Sequence, residues 1–190
     1  DADIIITSKV ILSREVLQQL PKLKLIAITA TGTNNVDLDA AKELGVTVKN
    51  VTGYSATTVP EHVLGMIFAL KHSLAGWQRD QITGKWTESK QFCYFDYPIT
   101  DVRGSTLGLF GKGCLGTEVG LLANAVGMKV LYAEHKDATV CREGYTPFEE
   151  VLRQADIVTL HCPLTETTKN LMNADTLSKM KKGAFLINTG

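Results

Sequence analysis

A glycine-rich turn between a strand and a helix limits the folds open to this chain more than any other feature. The turn is GKGCLG, from Gly111 to Gly116, and the apolar run TLGLF precedes it. Apolar residues at helical spacing follow, and then a second apolar run, MKVLYA, which ends just before Glu134. This order of strand, glycines, helix, strand and acid predicts a βαβ unit with parallel strands.

The residue types in this unit suit the binding of a dinucleotide. Gly111 would permit the tight turn, Gly113 would let the backbone approach a pyrophosphate, and Gly116 would let the helix pack close to the strand. The pyrophosphate would lie at the helix N-terminus, where free N–H groups and the helix dipole favour an anion. Glu134 lies 18 residues after Gly116, close to the roughly 20 expected before a ribose-binding acid. The alternative is a glycine-rich turn that only connects two elements.

The charges around Glu134 bear on which dinucleotide binds. A carboxylate accepts hydrogen bonds from the ribose hydroxyls and repels a 2′-phosphate, so Glu134 favours NAD over NADP. His135 and Lys136 follow it directly. A cation beside the acid could partly accommodate a phosphate, or these two side chains are simply solvated at the exposed end of a strand.

The residues before the glycine turn show their own alternation of strands and helices. The predicted elements are strand Ile4–Thr7, helix Ser13–Leu20, strand Leu23–Thr29, helix Leu38–Leu44, strand Val46–Asn50 and a long bridging helix from Val59 to about Trp77. Repeated βα units imply a parallel sheet with ligands at the carboxyl ends of its strands. The sequence thus predicts an α/β fold with two Rossmann-like lobes, both incomplete. A partial first lobe would span 1–55, a bridging helix and connector 56–100, and a partial NAD-binding domain 101–190.

Charge and cysteine content narrow the class of protein. The chain has 20 basic and 20 acidic residues without a basic cluster, so nothing indicates nucleic acid or an anionic membrane as partner. The apolar run VLGMIFAL is far shorter than a membrane span, and no signal or transit pattern opens the chain. Cys93, Cys114, Cys141 and Cys162 form no CxxC pair. They are expected to be reduced thiols of a cytoplasmic protein rather than metal ligands or disulfide partners.

Five segments, in this order, resemble the D-isomer-specific 2-hydroxyacid dehydrogenases: ATGTNNVDLDAA, TVPEHVLGMI, LGLFGKGCLG, HCPLTETTKNLMN and MKKGAFLINTG. The resemblance covers essentially the whole chain. The runs TSKV, ATGTNNVD, NVTGYS and GKW are most similar to the glycerate dehydrogenase or hydroxypyruvate reductase branch. This resemblance implies a homodimeric, NAD-dependent enzyme. The enzyme would transfer a hydride between the nicotinamide and C2 of a small D-2-hydroxy acid or 2-keto acid, of the glycerate, hydroxypyruvate or glyoxylate type.

The resemblance also gives the first lobe a substrate-binding role. The loop at Thr31 and Gly32 matches a family loop whose backbone N–H groups bind the substrate carboxylate. The family residue that matches Thr31 also faces the nicotinamide. An ordinary strand-to-helix turn rich in Gly and Asn is the alternative. Lys9, after the first strand, would attract an anionic substrate or would be a plain surface lysine.

Further cofactor contacts follow from the resemblance in the second lobe. Phosphate contacts fall at Cys114 and Leu115. Cys114 departs from the arginine or similar polar residue usual in the family, which puts only the side-chain contact in doubt. Cys162 corresponds to a position that touches the cofactor, although a small Cys beside a Pro is also a common end for a buried strand. Thr189 corresponds to a contact near the nicotinamide ribose.

No histidine of this chain is predicted to be catalytic: His62, His72, His135 and His161 all lack an expected role in the chemistry. In the family, the substrate-binding arginine, the acid–base histidine and its glutamate partner follow the position matched by Gly190. The resemblance therefore implies that this chain alone is catalytically inert. A second function stays open, that of an NAD-responsive protein-binding module with the same architecture, like some transcriptional co-repressors.

Overall fold

The computed structural model describes residues 2–190 and divides them into two compact units. The first unit ends at Tyr54 and the second spans Ser55–Gly190. Each unit has its own sheet, and every strand pairing in both sheets is parallel. The predicted α/β fold with Rossmann-like parallel sheets is confirmed. The predicted division into three segments, at residues 55 and 100, stays a prediction.

The first unit is a three-stranded sheet covered by two helices. Its elements are β1 (Ile4–Thr7), α1 (Arg14–Gln18), β2 (Leu25–Ile28), α2 (Leu38–Glu43) and β3 (Thr47–Asn50). The strands lie side by side in chain order. Successive right-handed crossovers in one direction place both helices on one face of a sheet, and α1 contacts α2 accordingly. Their buried side chains share one core with those of β2, including Leu17, Ile26, Ile28 and Ala40.

The second unit contains a four-stranded sheet. Its elements are α3 (Thr58–Lys71), α4 (Leu74–Ile82), α5 (Lys85–Glu88), β4 (Thr106–Phe110), α6 (Cys114–Ala125), β5 (Lys129–Tyr132), α7 (Phe148–Gln154), β6 (Ile157–Leu160), α8 (Ala174–Ser178) and β7 (Phe185–Asn188). The strand order is β5-β4-β6-β7, and a parallel bridge between Ala133 and Thr146 extends the sheet beyond β5. The chain reverses its direction of travel across the sheet between β5 and β6. This reversal opens a crevice at the carboxyl ends of β4 and β6.

Alternation along the strands gives this sheet two cores. Leu107 and Leu109 of β4 pack with α3 and α6, in a core that contains Val63 and Val119. Phe110 belongs instead to the core formed with α7 on the other face. A parallel strand with both faces buried has a continuous run of apolar side chains, and TLGLF is such a run. Within residues 2–190, no helix is long and apolar enough to cross a membrane.

The single long helix predicted from Val59 to about Trp77 is wrong. The structure has two helices there, α3 and α4, separated at His72 and Ser73, and Ser73 adopts a left-handed conformation with φ 53°. Contacts from a distant segment stabilise the break. The Thr100 N–H donates to the Lys71 carbonyl at 2.9 Å, and the Ser73 hydroxyl donates to the Pro98 carbonyl at 2.6 Å. Apolar periodicity carries no information about such contacts.

Asp156 fixes the amino end of the second sheet and offers a test of the packing. Its carboxylate accepts from the Thr106 N–H at 2.8 Å and from Lys181 Nζ at 2.6 Å. Partial burial by itself raises the pKa of Asp156, but these hydrogen bonds and the positive charges of Lys181 and Lys71 together outweigh burial and hold the pKa below its ordinary value. The carboxylate therefore stabilises the fold above pH about 4, and this contribution is lost as the pH falls through the lowered pKa.

We expect Asp156→Ala to lower the free energy of unfolding by about 1–3 kcal/mol, because the Thr106 N–H loses its acceptor. Asp156→Asn should cost less, since an amide oxygen can still accept from that N–H. Urea denaturation at pH 7 of the full-length protein measures both. Glu149→Ala is the control, because Glu149 has charged partners but is about half exposed. Equal losses for Asp156→Ala and Glu149→Ala would contradict this account.

Candidate functional site

The carboxyl edge of the four-stranded sheet carries the cofactor residues predicted in the second unit. Gly111 follows β4 directly, Glu134 and Cys162 come two residues after β5 and β6, and Thr189 follows β7. A cavity of about 760 Å³ opens at this edge. Of the predicted residues, it is lined by Gly111, Gly113, Glu134 and Cys162. Cys114, Leu115, Gly116 and Thr189 are not among its lining residues.

The three glycines of the turn are held by different constraints. Gly111 has φ +110°, and a Cβ on it would lie 2.7 Å from the His161 carbonyl and the Cys162 nitrogen. A Cβ on Gly116 would lie 1.9 Å from the Gly111 carbonyl oxygen. A Cβ on Gly113 would meet no atom within 4 Å. The fold therefore requires glycine at the first and third positions, whereas Gly113 leaves open space in front of helix α6.

The N-terminus of α6 faces this space. Gly113 is the N-cap residue, and the first helical hydrogen bond runs from the Thr117 N–H to the Gly113 carbonyl at 2.9 Å. The N–H groups of the first turn have no acceptor within the helix, and the helix dipole adds positive potential there. Cys114 and Leu115 belong to that first turn, so their backbone groups rather than their side chains suit an anion. An anionic ligand can therefore be bound without a charged side chain in the turn.

Glu134 is buried and fully hydrogen-bonded. Only 4% of the residue is exposed. Its Oε1 accepts from the His135 N–H at 2.8 Å and from Arg142 Nη2 at 2.6 Å. Its Oε2 accepts from the Arg142 N–H at 3.0 Å and from Arg142 Nε at 2.7 Å. A carboxylate has about four lone-pair sites, and all four are used in this arrangement.

The Arg142 side chain has the largest effect on the charge of Glu134. Its hydrogen bonds lower the pKa of Glu134 to about 2, against the opposing effect of burial. Glu134 is therefore ionised throughout the neutral range, and Arg142 balances its charge. Sequence reasoning singled out Glu134, His135 and Lys136 but missed Arg142. A buried carboxylate requires a partner, yet nothing in the sequence distinguishes Arg142 from the nearer cations.

Aromatic rings and further cations surround this ion pair. The Arg142 guanidinium lies 4.1 Å from the centre of the Tyr145 ring. Lys112 Nζ lies 5.0 Å from the centre of the same ring and 4.7 Å from that of Tyr132. Lys112, Lys136, Arg142 and Tyr145 all line the cavity, and sequence analysis had assigned no role to Lys112 or Tyr145. The exposed side chains at this end of the cavity are therefore mainly cationic.

His161 and Cys162 form the opposite wall of the cavity. His161 Nε2 lies 3.0 Å from the Thr159 hydroxyl, and burial lowers the pKa of the imidazole. Burial raises the pKa of the Cys162 thiol. Both side chains are therefore neutral at pH 7, so they provide a half-buried wall rather than an acid–base pair. His62, His72 and His135 do not line this wall.

In the first unit, the loop after β2 presents unused backbone donors. Thr31 Oγ1 donates to the Val51 carbonyl at 2.9 Å, and Asn50 Nδ2 donates to the Thr31 carbonyl at 2.7 Å. Among the described residues, the N–H groups of Thr31 and Gly32 donate to no protein acceptor, and both residues are exposed. Lys9 is exposed in the turn after β1. The loop is thus anchored by side chains while its N–H groups remain available.

Other features of the chain do not form a comparable site. Within residues 2–190, no group of three or more His, Cys, Asp or Glu side chains is arranged to hold a metal ion. The four cysteines are free thiols. A smaller cavity of about 430 Å³ lies at the amino ends of the strands beside Asp156 and Lys181, away from the predicted site residues.

Comparison with known proteins agrees with this geometry. Residues 64–190 match the family model described as "D-isomer specific 2-hydroxyacid dehydrogenase, NAD binding domain". A Haemophilus influenzae protein with the provisional name 2-hydroxyacid dehydrogenase is 86% identical over 190 residues, which cover 100% of this chain and 60% of that protein. A glycerate dehydrogenase from Methylorubrum extorquens is 48% identical over 188 residues, 99% of this chain and 59% of the enzyme.

A solved structure gives the same picture. The crystal structure of a D-lactate dehydrogenase from Aquifex aeolicus, complexed with NAD and lactic acid, superimposes with a TM-score of 0.87 at 32% identity. The match covers 100% of this chain and 57% of that enzyme. The chain thus spans about three fifths of the length of these three relatives.

The glycine turn yields a prediction about stability. We expect Gly116→Ala to lower the free energy of unfolding by about 3 kcal/mol or more, because the added Cβ meets the Gly111 carbonyl oxygen, which the backbone fixes. Gly113→Ala adds the same methyl group three residues away, into open space, and should change it by about 1 kcal/mol or less. Denaturant titration of both variants measures the difference. Similar losses would show that the two glycines are under the same constraint.

Proposed function

Because the chain belongs to the D-isomer-specific 2-hydroxyacid dehydrogenases, we propose that the full-length protein is an NAD-dependent oxidoreductase. It would transfer a hydride between the nicotinamide and C2 of a small D-2-hydroxy acid or 2-keto acid. The observation that carries the proposal is the open cavity over Gly113, between the N-terminus of α6 and Glu134. That space lies at the switch point of a parallel sheet and has backbone donors on one side and a carboxylate on the other, as a dinucleotide site requires.

The residues of the crevice fit NAD. The pyrophosphate would lie over Gly113 against the first turn of α6, where the N–H groups of Cys114 and Leu115 would donate to it. Glu134 and its neighbours would bind the adenosine ribose, and Cys162 and Thr189 would lie along the path to the nicotinamide. When bound, the oxidised cofactor NAD would accept a hydride and the reduced cofactor NADH would donate one.

The loop after β2 would bind the carboxylate of the substrate. The unused N–H groups of Thr31 and Gly32 support this role, because paired donors suit a planar carboxylate. Lys9 would add a positive charge nearby that attracts an anion. Thr31 would also contact the nicotinamide end of the cofactor, as implied by the family resemblance.

The substrate class is proposed as glycerate with hydroxypyruvate, or glyoxylate. The glycerate dehydrogenase from Methylorubrum extorquens, 48% identical across nearly the whole chain, supports this choice. The family's arginine, glutamate and histidine would complete the chemistry from segments outside these residues, so no residue from Asp1 to Gly190 is proposed as an acid–base catalyst. The relatives compared above are dehydrogenases by name and give no support to an NAD-responsive protein-binding module.

Assembly and location are proposed on fewer observations. Exposed aromatic side chains lie close together in sequence, with Phe92 97% and Phe95 86% exposed, and they support the proposed homodimer. Light scattering that gave a monomer mass for the full-length protein would contradict it. The free thiols support a reducing, cytoplasmic location.

The test of function is the oxidation of NADH by the full-length protein with hydroxypyruvate, glyoxylate and pyruvate. We expect turnover with hydroxypyruvate or glyoxylate and a higher kcat/KM than with pyruvate. The variant Gly113→Ala should raise the Kd for NADH about 10-fold or more without loss of the fold. Absence of turnover with all three acids, together with intact NADH binding, would remove the enzyme proposal and leave only cofactor binding.

The carboxylate loop gives a separate prediction. Gly32→Val should raise the KM for the keto acid about 10-fold or more while the Kd for NADH changes by less than about 2-fold, because the branched side chain blocks the approach to the N–H groups. A Cβ on Gly32 would meet only Asn34 Oδ1, at 3.2 Å, so the loop can accept the change. Asn34→Ala is the control for displacement of that amide. Equal changes in both constants would show that the loop has only a structural role.

A further inference from the structure

The hydrogen bonding of Glu134 conflicts with a simple ribose-binding role. A carboxylate that binds the adenosine ribose must accept hydrogen bonds from its 2′- and 3′-hydroxyls. Glu134 already accepts four hydrogen bonds, three of them from Arg142. Its side chain is 3% exposed, whereas that of Arg142 is 53% exposed. The group at this point that a ligand meets first is therefore the guanidinium.

The two side-chain bonds of Arg142 can open without unfolding the loop. Nε and Nη2 belong to the side chain, whereas the bonds from the Arg142 and His135 N–H groups belong to the backbone. Rotation of the Arg142 side chain would free one lone pair on each carboxylate oxygen. Those two sites are enough for two ribose hydroxyls. The backbone N–H groups would keep the carboxylate in place.

We propose that Arg142 sets the choice between NADH and NADPH. Its side chain covers and neutralises Glu134 until a ribose with free hydroxyls displaces the guanidinium from the carboxylate. This inference rests on the proposed function. NADH must separate Arg142 from Glu134 to reach the carboxylate, at a cost in free energy. A 2′-phosphate instead meets the exposed guanidinium, which can bind it while the pair with Glu134 stays closed.

The surroundings of Arg142 support this reading. The guanidinium lies 4.1 Å from the centre of the Tyr145 ring, so a flat surface supports it in the closed position. Lys112 and Lys136 also line the cavity, and Lys112 lies against the same Tyr145 ring. Glu134 by itself would repel a phosphate, but Arg142 cancels its charge. Of the other charged side chains that line the cavity, two are lysines and one is Asp137, so the net charge stays positive. Arg142 therefore weakens the discrimination against NADPH that Glu134 alone would impose.

The sign of the selectivity change tests this role. Under the proposal, Arg142→Ala frees Glu134 to accept from the ribose and to repel the 2′-phosphate. The Kd for NADPH should rise about 10-fold or more, and the Kd for NADH should stay within about 3-fold or fall. Glu134→Gln removes the repelling charge and leaves Arg142 free, so it should shift the ratio of the two Kd values toward NADPH. The two variants should therefore move the ratio in opposite directions.

A purely structural role makes a different prediction. If Arg142 only held Glu134 in position for the ribose, both variants would weaken NADH and shift the ratio in the same direction. That result would overturn the proposal, as would an unchanged ratio in Arg142→Ala. The variant Arg142→Lys keeps the charge but cannot make the paired contact, so an intermediate ratio is expected. If Arg142→Ala does not fold, the ratio of the two Kd values in Arg142→Lys still tests the proposal.

The measurement is the Kd of NADH and NADPH for the full-length protein, from cofactor fluorescence at one ionic strength. Displacement of NADH by adenosine 5′-monophosphate and adenosine 2′,5′-bisphosphate isolates the contribution of the 2′-phosphate and should follow the same signs. Arg153→Ala is the matched control, because Arg153 pairs with the exposed Glu149 on α7 outside the cavity. If the wild-type protein bound neither NADH nor NADPH, the proposed function itself would fail and this inference with it.

Discussion

The close approach of Gly116 to the carbonyl of Gly111 is the contact on which the second unit depends. No side chain fits there, since a Cβ would lie 1.9 Å from that oxygen. The approach brings the first turn of α6 against the end of β4, so the unpaired N–H groups of the helix point at the crevice beside the sheet. Gly111 makes a second approach, to the chain after β6. Together, the two close approaches fix the positions of β4, α6 and the chain after β6, which border the cavity.

The order of the strands then determines what surrounds the cavity. Because β5 and β6 lie on opposite sides of β4, the chain segments after them diverge and form the two walls of the crevice. One wall is half-buried and neutral, at His161 and Cys162, because burial shifts both pKa values away from the charged form. The other wall is charged, at Glu134 and Arg142. The cavity therefore has different chemistry at its two sides although one backbone arrangement forms both.

Regular features of the sequence predicted most of the fold. The strands β1 and β4 have the bounds that their apolar runs indicated. In β4 the reason is burial of both faces, which requires a continuous run of apolar side chains. The helix break at Ser73 could not be found this way, because its hydrogen bonds come from residues 98–100. The same limit applies to the site: spacing located Glu134, but only three-dimensional contact distinguished Arg142 from Lys136.

Position in a motif and chemical environment thus carry separate information about one residue. The spacing from the glycine turn places a carboxylate where a ribose is read, and it says nothing about what the carboxylate is bonded to before the ribose arrives. In this chain, burial would raise the pKa of Glu134, and the hydrogen bonds of Arg142 outweigh that effect. An ionised carboxylate with no free lone pair can accept a hydrogen bond from a ligand only if one of its present donors leaves. Under the role proposed for Arg142, the selectivity of this site depends on how readily the arginine side chain leaves the carboxylate.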